Sequence, residues 1–134
     1  MYQVEDSGFS LIEVVIVMAI MAVMAAIAYP NYTAIQSKAR RSAQESNVAT
    51  IQTALETHRL TMGSYPMTDG VMGAFQALIQ SQSLRQIPIN PYTGKAYQEG
   101  DRTGVLRYQF TNGGYQLTAC AQDETDCWTT LGDR

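Results

Sequence analysis

Residues 8–32 read GFSLIEVVIVMAIMAVMAAIAYPNY, and the rest of the chain is arranged around this stretch. From Val14 to Tyr29 it holds no charged residue, no glycine and no proline. A helix built from it is apolar on every face, unlike the one-sided helix of a small soluble domain. Counted from Phe9 to Tyr29, the run has about the twenty residues that a helix rising ~1.5 Å per residue needs to cross a hydrocarbon core of ~30 Å. The expectation is therefore a membrane helix. Glu13 alone breaks the apolar character. A carboxylate at such depth costs roughly 2.5 to 3.5 kcal/mol on insertion scales, so it needs a specific role or partner.

The glycine, the aromatic, the hydroxyl, two aliphatics, the glutamate, the apolar run and the proline stand in one register from Gly8 to Tyr32. In that register the stretch resembles the amino-terminal segment of type IV pilins and of the pseudopilins of type II secretion systems. The resemblance implies cleavage by a prepilin peptidase between Gly8 and Phe9, methylation of the new amine on Phe9, and an assembly role for Glu13, fifth in the mature chain. Beyond Tyr32 it is one of layout only. Family leaders usually carry Lys or Arg before the glycine, whereas residues 1–7 carry none and include Glu5 and Asp6. This departure places the natural start upstream of Met1 or makes the leader atypical. The bias of Lys and Arg toward the cytoplasmic side would put Lys38, Arg40 and Arg41 inside. The peptidase motif outweighs it, and the family orientation is adopted. A secretory signal peptide fits less well, because the apolar run exceeds the usual 7 to 15 residues, roughly, and its flank is acidic.

The expected division is a leader at 1–8, a membrane or filament-core half of a long helix at 9–32, and an exposed pilin-like domain at 33–134. About a hundred residues outside the membrane suffice for one modest domain with a thin core. The formal charge of −3 becomes −1 once Glu5 and Asp6 leave with the leader. Neither value makes a field that steers nucleic acid. Cys120 and Cys127 fall in a part the family places outside the cytoplasm, so a disulfide between them is expected.

Pro30 lacks a backbone donor and should kink the helix. The helix should nonetheless continue, because residues 31–62 contain neither glycine nor proline, and Val48, Ile51, Leu55, His58 and Met62 recur at helical spacing. One helix of about fifty residues results, with Arg40, Arg41, Glu45, Glu56 and Arg59 on its solvated face and Gly63 as its cap. Residues 63–104 read as a long connection with a short helix between Gly73 and Leu84. The prolines at 88 and 91 with Gly94 mark loop and turn. Val105 to Phe110 and Tyr115 to Ala119 flank the turn signal Asn112-Gly113-Gly114 and make a hairpin, with Trp128 to Leu131 as a third strand. The fold class is α+β, pilin-like: a long amino-terminal helix packed on a small antiparallel sheet.

The single histidine, His58, lies in the helix seam and suits packing better than catalysis, so no enzyme activity and no cofactor are expected. Asp123, Glu124 and Asp126 suggest calcium only because some pseudopilins bind it in a carboxyl-terminal loop. Their spacing matches no ion-binding loop, and a solvated loop is the preferred reading. Tyr65, Tyr92, Tyr97, Tyr108 and Tyr115 suit core and hairpin packing better than stacking on a base or sugar. Met18, Met21 and Met24 are pliable fillers for contact with other helices.

The favoured function is a structural subunit of a type IV pilus, major or minor, with the cysteine pair tilting the choice toward a pilus. A type II secretion pseudopilin is the alternative. A membrane-tethered binding module using Tyr92, Tyr97 and the acidic loop is the rival from another class. Expected partners are a prepilin peptidase, copies of the chain or related pilins, an inner-membrane assembly platform and the membrane. Nucleic acid enters only through DNA uptake by a minor pilin. The precursor would sit in the inner membrane and the product in an extracellular pilus or a periplasmic pseudopilus.

Overall fold

A computed structural model describes residues 8–122 and 125–132. The leader acids Glu5 and Asp6, and Asp123 and Glu124 of the acidic cluster, lie outside the described residues. The chain divides into two compact units, one ending at Lys38 and one running from Ala39 to Arg134.

The first unit is the start of helix α1 (Leu11–Met62, 52 residues), close to the expected length. Every side chain described from Gly8 to Lys38 is exposed, among them Ile12, Val15, Ile16, Met18, Ile20, Met21 and Ile27. Helical backbone continues through Pro30, which has no N–H to give to the carbonyl four residues earlier.

In the second unit α1 becomes one-sided. Gln44, Val48, Ile51, Ala54, Leu55 and His58 are buried, at the three- and four-residue steps that keep them on one face. The helix closes at Gly63, whose φ of 81° is available to glycine and whose N–H donates to the Arg59 carbonyl at 2.8 Å. The second helix, α2 (Val71–Gln80), begins two residues before the expected start at Gly73 and ends earlier than Leu84. Gly70, at φ 95°, turns the chain into it, and Gln82, at φ 57°, breaks it. Those two turns, rather than the apolar spacing, set its limits.

Three strands follow: β1 (Leu106–Thr111), β2 (Gly114–Cys120) and β3 (Cys127–Gly132), antiparallel in the order β1-β2-β3. Asn112 at φ 42° and Gly113 at φ 90° form a two-residue hairpin turn with both central residues in the left-handed region. The register places Leu106, Ala119 and Trp128 in one row, Tyr108, Leu117 and Thr130 in the next, and Phe110, Tyr115 and Gly132 in the last. These rows line the inner face. The outer face carries Arg107, Gln109, Thr118, Thr129 and Leu131, with Thr118 and Thr129 hydroxyls paired at 3.1 Å.

The core joins Val48, Ile51 and Leu55 of α1, Val71, Phe75 and Leu78 of α2, and Leu106, Tyr108, Tyr115 and Leu117 of the sheet. Tyrosines are its largest parts. Tyr65 meets Tyr115 edge-on with centroids 4.8 Å apart, and Tyr115 stacks on Tyr108 at 6.0 Å. Such pairs add roughly 0.5 to 1.5 kcal/mol beyond area burial. Two of these hydroxyls find acceptors: Tyr108 donates to the Pro66 carbonyl at 2.8 Å and Tyr65 to Glu56 at 2.7 Å.

The connection from Pro88 to Gly104 is irregular apart from a bridge between Ile89 and Ala96, and Asn90 organises it. That side chain is fully buried. Its Nδ2 donates to Asp101 Oδ2 at 3.1 Å and to the Thr103 carbonyl at 2.9 Å, while Oδ1 accepts the Tyr92 N–H at 2.9 Å. Gly104, at φ 65°, passes so close that a Cβ there would strike Asn90 Oδ1 and the Tyr92 ring. Only glycine fits that backbone position without displacing the hub.

Candidate assembly segment and disulfide-closed loop

Gly8, Phe9 and Ser10 precede the helix, so the bond between Gly8 and Phe9 stands outside the helical hydrogen-bond ladder. The Ser10 carbonyl accepts the N–H of Glu13 at 3.0 Å and of Val14 at 3.3 Å, which starts α1. Glu13 thus occupies the first helical turn. A carboxylate there faces the positive end of the helix dipole, an interaction worth about 0.3 to 1 kcal/mol. A Cβ at Gly8 would meet no atom within 4 Å. Nothing in the packing of the described residues requires glycine at that position.

The far end of the chain holds the second feature. Cys120 and Cys127 form a disulfide across the β2–β3 connection. Cys120 is fully buried, and its carbonyl accepts Gln44 Nε2 at 2.9 Å. Arg41 reaches the same loop, with Nη1 2.6 Å from Asp126 Oδ2 and Nε 3.3 Å from Glu45 Oε1. Its guanidinium also lies over the Trp128 ring, 5.3 Å from the centroid. Asp126, one third of the predicted acidic cluster, therefore pairs with an arginine of α1. Gln44, Arg41 and Asn90 carry no motif; Gln44 stands out in the sequence only as a polar residue on the apolar face of α1.

His58 is buried, with Nδ1 2.9 Å from the Ser64 carbonyl. Its contact is structural. Tyr97, nominated for recognition by the tethered-module reading, is 1% exposed and presents no ring face to a ligand. Burial pushes its phenol up to about 12. Tyr92 is half-buried, and burial raises its phenol too, against the lowering effect of Arg41. Among the described residues no group of three or more His, Cys, Asp or Glu side chains is placed to hold a metal ion. A recess of about 700 Å³ runs along β1 beneath Asp69, Gly70, Glu99, Asp101 and Arg102, with carboxylates and guanidinium mixed on its rim.

Comparison with known proteins bears on both ends. The family described as "Prokaryotic N-terminal methylation motif" matches residues 6–29. The family described as "Type II secretion system (T2SS), protein G" matches residues 31–126, most of the chain. This chain belongs to the type II secretion protein G family.

Relatives agree with that placement. A type II secretion system core protein G of Klebsiella michiganensis is 28% identical over 122 residues, covering 91% of this chain and 80% of its own length. The protein of the same description from Klebsiella pneumoniae is 29% identical over 104 residues, 68% of this chain and 71% of its own. That of Pectobacterium carotovorum is 29% identical over 83 residues, and the match spans about half of its length. No solved structure matches significantly. A protein G family member with a prepilin-type segment is a pseudopilin by descent, and the long helix with its small sheet is the pilin-like α+β architecture.

Proposed function

We propose that this chain is a pseudopilin of a type II secretion system: held in the inner membrane by residues 9–32, cut after Gly8, methylated on Phe9 and assembled into a periplasmic filament with copies of itself or related subunits. The observation that carries the reading is the surface of α1 up to Lys38. Every described side chain on it is exposed, and it is apolar all round as far as Tyr29 but for the one carboxylate of Glu13. Moving that surface from lipid into a bundle of like helices keeps it dry at every stage, so the exchange is nearly neutral and an external motor can drive it. The family match favours secretion over the type IV pilus, toward which the cysteine pair tilts the sequence reading. Glycine at position 8 has no packing reason among the described residues, which supports an external one: recognition by a peptidase. Residues 33–134 would form the outer wall, and Pro30, lacking its N–H, would let the helix bend between the two parts.

Glu13 tests the polymer reading, because a tethered monomer has no use for an acid in its anchor. In a filament the amine on Phe9 of an adjacent subunit would meet this carboxylate, and the cost of leaving either charge unpaired in apolar surroundings would fix helix register. Glu13→Leu and Glu13→Gln should leave the membrane pool at its normal level and abolish incorporation into sheared or cross-linked filaments. Normal incorporation of both variants refutes the assembly role. Loss of cargo export in a strain carrying Glu13→Leu, with surface pili unaffected, separates secretion from pilus.

A further inference from the structure

Both walls of the β2–β3 loop hold the part of α1 that opens the second unit. Buried Gln44 donates to the Cys120 carbonyl at 2.9 Å, and Arg41 reaches Asp126 at 2.6 Å and covers Trp128. The loop is itself closed three ways: by the disulfide, by the Ala121 N–H to the Asp126 carbonyl at 3.0 Å, and by the Gly104 N–H to the Ala121 carbonyl at 2.7 Å. The two cysteines differ in exposure. Cys127 begins an edge strand and is exposed, whereas Cys120, its register partner on β2, is fully buried.

From this asymmetry we propose that Cys120–Cys127 is a thiol-exchange latch, entered at Cys127 by an exported thiol–disulfide oxidoreductase, whose closure holds the Arg41–Gln44 turn of α1 on the sheet. Thiol–disulfide exchange needs a thiolate to reach one sulfur along the S–S axis, and access decides which sulfur it reaches. On closing, the Cys127 thiolate attacks the partner's disulfide and releases one partner thiolate, which takes up a proton. The Cys120 thiolate then attacks the Cys127 sulfur, forming the intramolecular bond and expelling the second partner thiolate. The chain loses two hydrogens and the partner disulfide gains them. On opening, a thiol attacks Cys127 and Cys120 leaves. Without the bond, the Cys120 carbonyl and Asp126 are tied together only by the backbone hydrogen bonds of the loop, so the contacts of Gln44 and Arg41 with them loosen together. This latch does not depend on the chain polymerising.

The test uses the full chain in detergent micelles. In the first arm, oxidised glutathione is added to reduced Cys120→Ser and Cys127→Ser chains and the mixed disulfide is timed by intact mass. Cys127, alone in Cys120→Ser, should react about tenfold faster or more than Cys120 alone in Cys127→Ser. Equal rates, or a faster Cys120, overturn entry at Cys127. Should either serine variant misfold, the wild-type chain is opened with reduced glutathione, quenched by alkylation and mapped: the adduct belongs on Cys127, and an adduct on Cys120 overturns it. In the second arm, hydrogen exchange is followed before and after reduction of the wild-type chain. Amides 41–47 should exchange about tenfold faster or more after reduction while those of 74–79 in α2 keep their rates. No change at 41–47, or an equal rise in both segments, overturns the latch.

Discussion

Asn90→Asp alters one atom of a fully buried side chain, and the geometry around that atom sets the size of the effect. The native Nδ2 faces three acceptors: Asp101 Oδ2 at 3.1 Å, the Thr103 carbonyl at 2.9 Å and the Gly104 carbonyl at 3.4 Å. An ionised oxygen in its place would stand against the Asp101 carboxylate at that distance, a repulsion of about 5 kcal/mol at an effective dielectric of 20. The folded variant can escape by keeping the new carboxyl protonated, so that its hydroxyl still donates one bond. Protonating a carboxyl of ordinary pKa near 3.9 costs about 4 kcal/mol at pH 7 and about 1.5 kcal/mol at pH 5. The folded pKa is raised above the unfolded one, so the stability this group contributes is fully present below about pH 4 and is lost as pH rises. The variant should therefore lie about 4 kcal/mol below wild type at pH 7 and recover about 2.5 kcal/mol of that at pH 5. Asn90→Ala removes the same bonds, at roughly 1 kcal/mol for each neutral one and more for that to Asp101, and should show no such recovery. Urea denaturation of the full chain in micelles, followed by near-ultraviolet circular dichroism at both pH values, measures the differences. An Asn90→Asp chain as stable as wild type at pH 7, or one whose deficit does not shrink at pH 5, refutes the assignment of Asn90 as a donor hub.

Burial holds the Tyr97 and Tyr115 phenols up to about 12 and pushes Tyr108 further in the same direction. An unfolded tyrosine ionises near pH 10, so above that the unfolded chain sheds protons the folded chain keeps, and stability should fall by about 1.4 kcal/mol per pH unit for each such phenol. A urea midpoint that stays level from about pH 9 to 11 contradicts this. Gly114→Ala places a Cβ 2.6 Å from the Gly132 carbonyl oxygen, a backbone atom that cannot swing aside, so thermal melting should show a loss of about 1 to 3 kcal/mol. Leu55→Ala empties a fully buried site on α1 and should cost about 2 to 5 kcal/mol, whereas Leu60→Ala, at a position 87% exposed, should leave the melting temperature unchanged.

The elements with a strong period or a strong turn signal were legible in the sequence. The apolar run, the row Val48-Ile51-Leu55-His58, and Asn112-Gly113 each obey one local rule, and the helix, its buried face and the hairpin follow. The limits of α2 were not legible, because the left-handed residue of the turn that ends it, closed by the Ser83 and Leu84 N–H groups on the Leu78 carbonyl, is a glutamine rather than the glycine or asparagine that would announce it. Nor was Asn90: an asparagine before a proline reads as a turn, and only the folded loop brings Asp101, Thr103 and Gly104 around its amide. The acidic cluster misled in a similar way. Asp126 finds its partner 85 residues away in Arg41, a pairing that spacing within the loop cannot express. The composition at the amino terminus indicated membrane and assembly, yet the choice between pilus and secretion system rested on the cysteines. A disulfide reports the compartment, not the machine, so that choice needed the match over residues 31–126.

The chain contains one tryptophan, and it stands beside the guanidinium of Arg41 at the junction of helix, loop and edge strand. Its emission therefore comes from a single place, with no second indole to dilute the signal. Any event that lifts Arg41 away, whether reduction, assembly or contact with another subunit, changes the charge next to that ring and the water around it. The colour and yield of this one fluorophore become an optical record of the start of the second unit. That record can be read in micelles or in vesicles without attaching a dye.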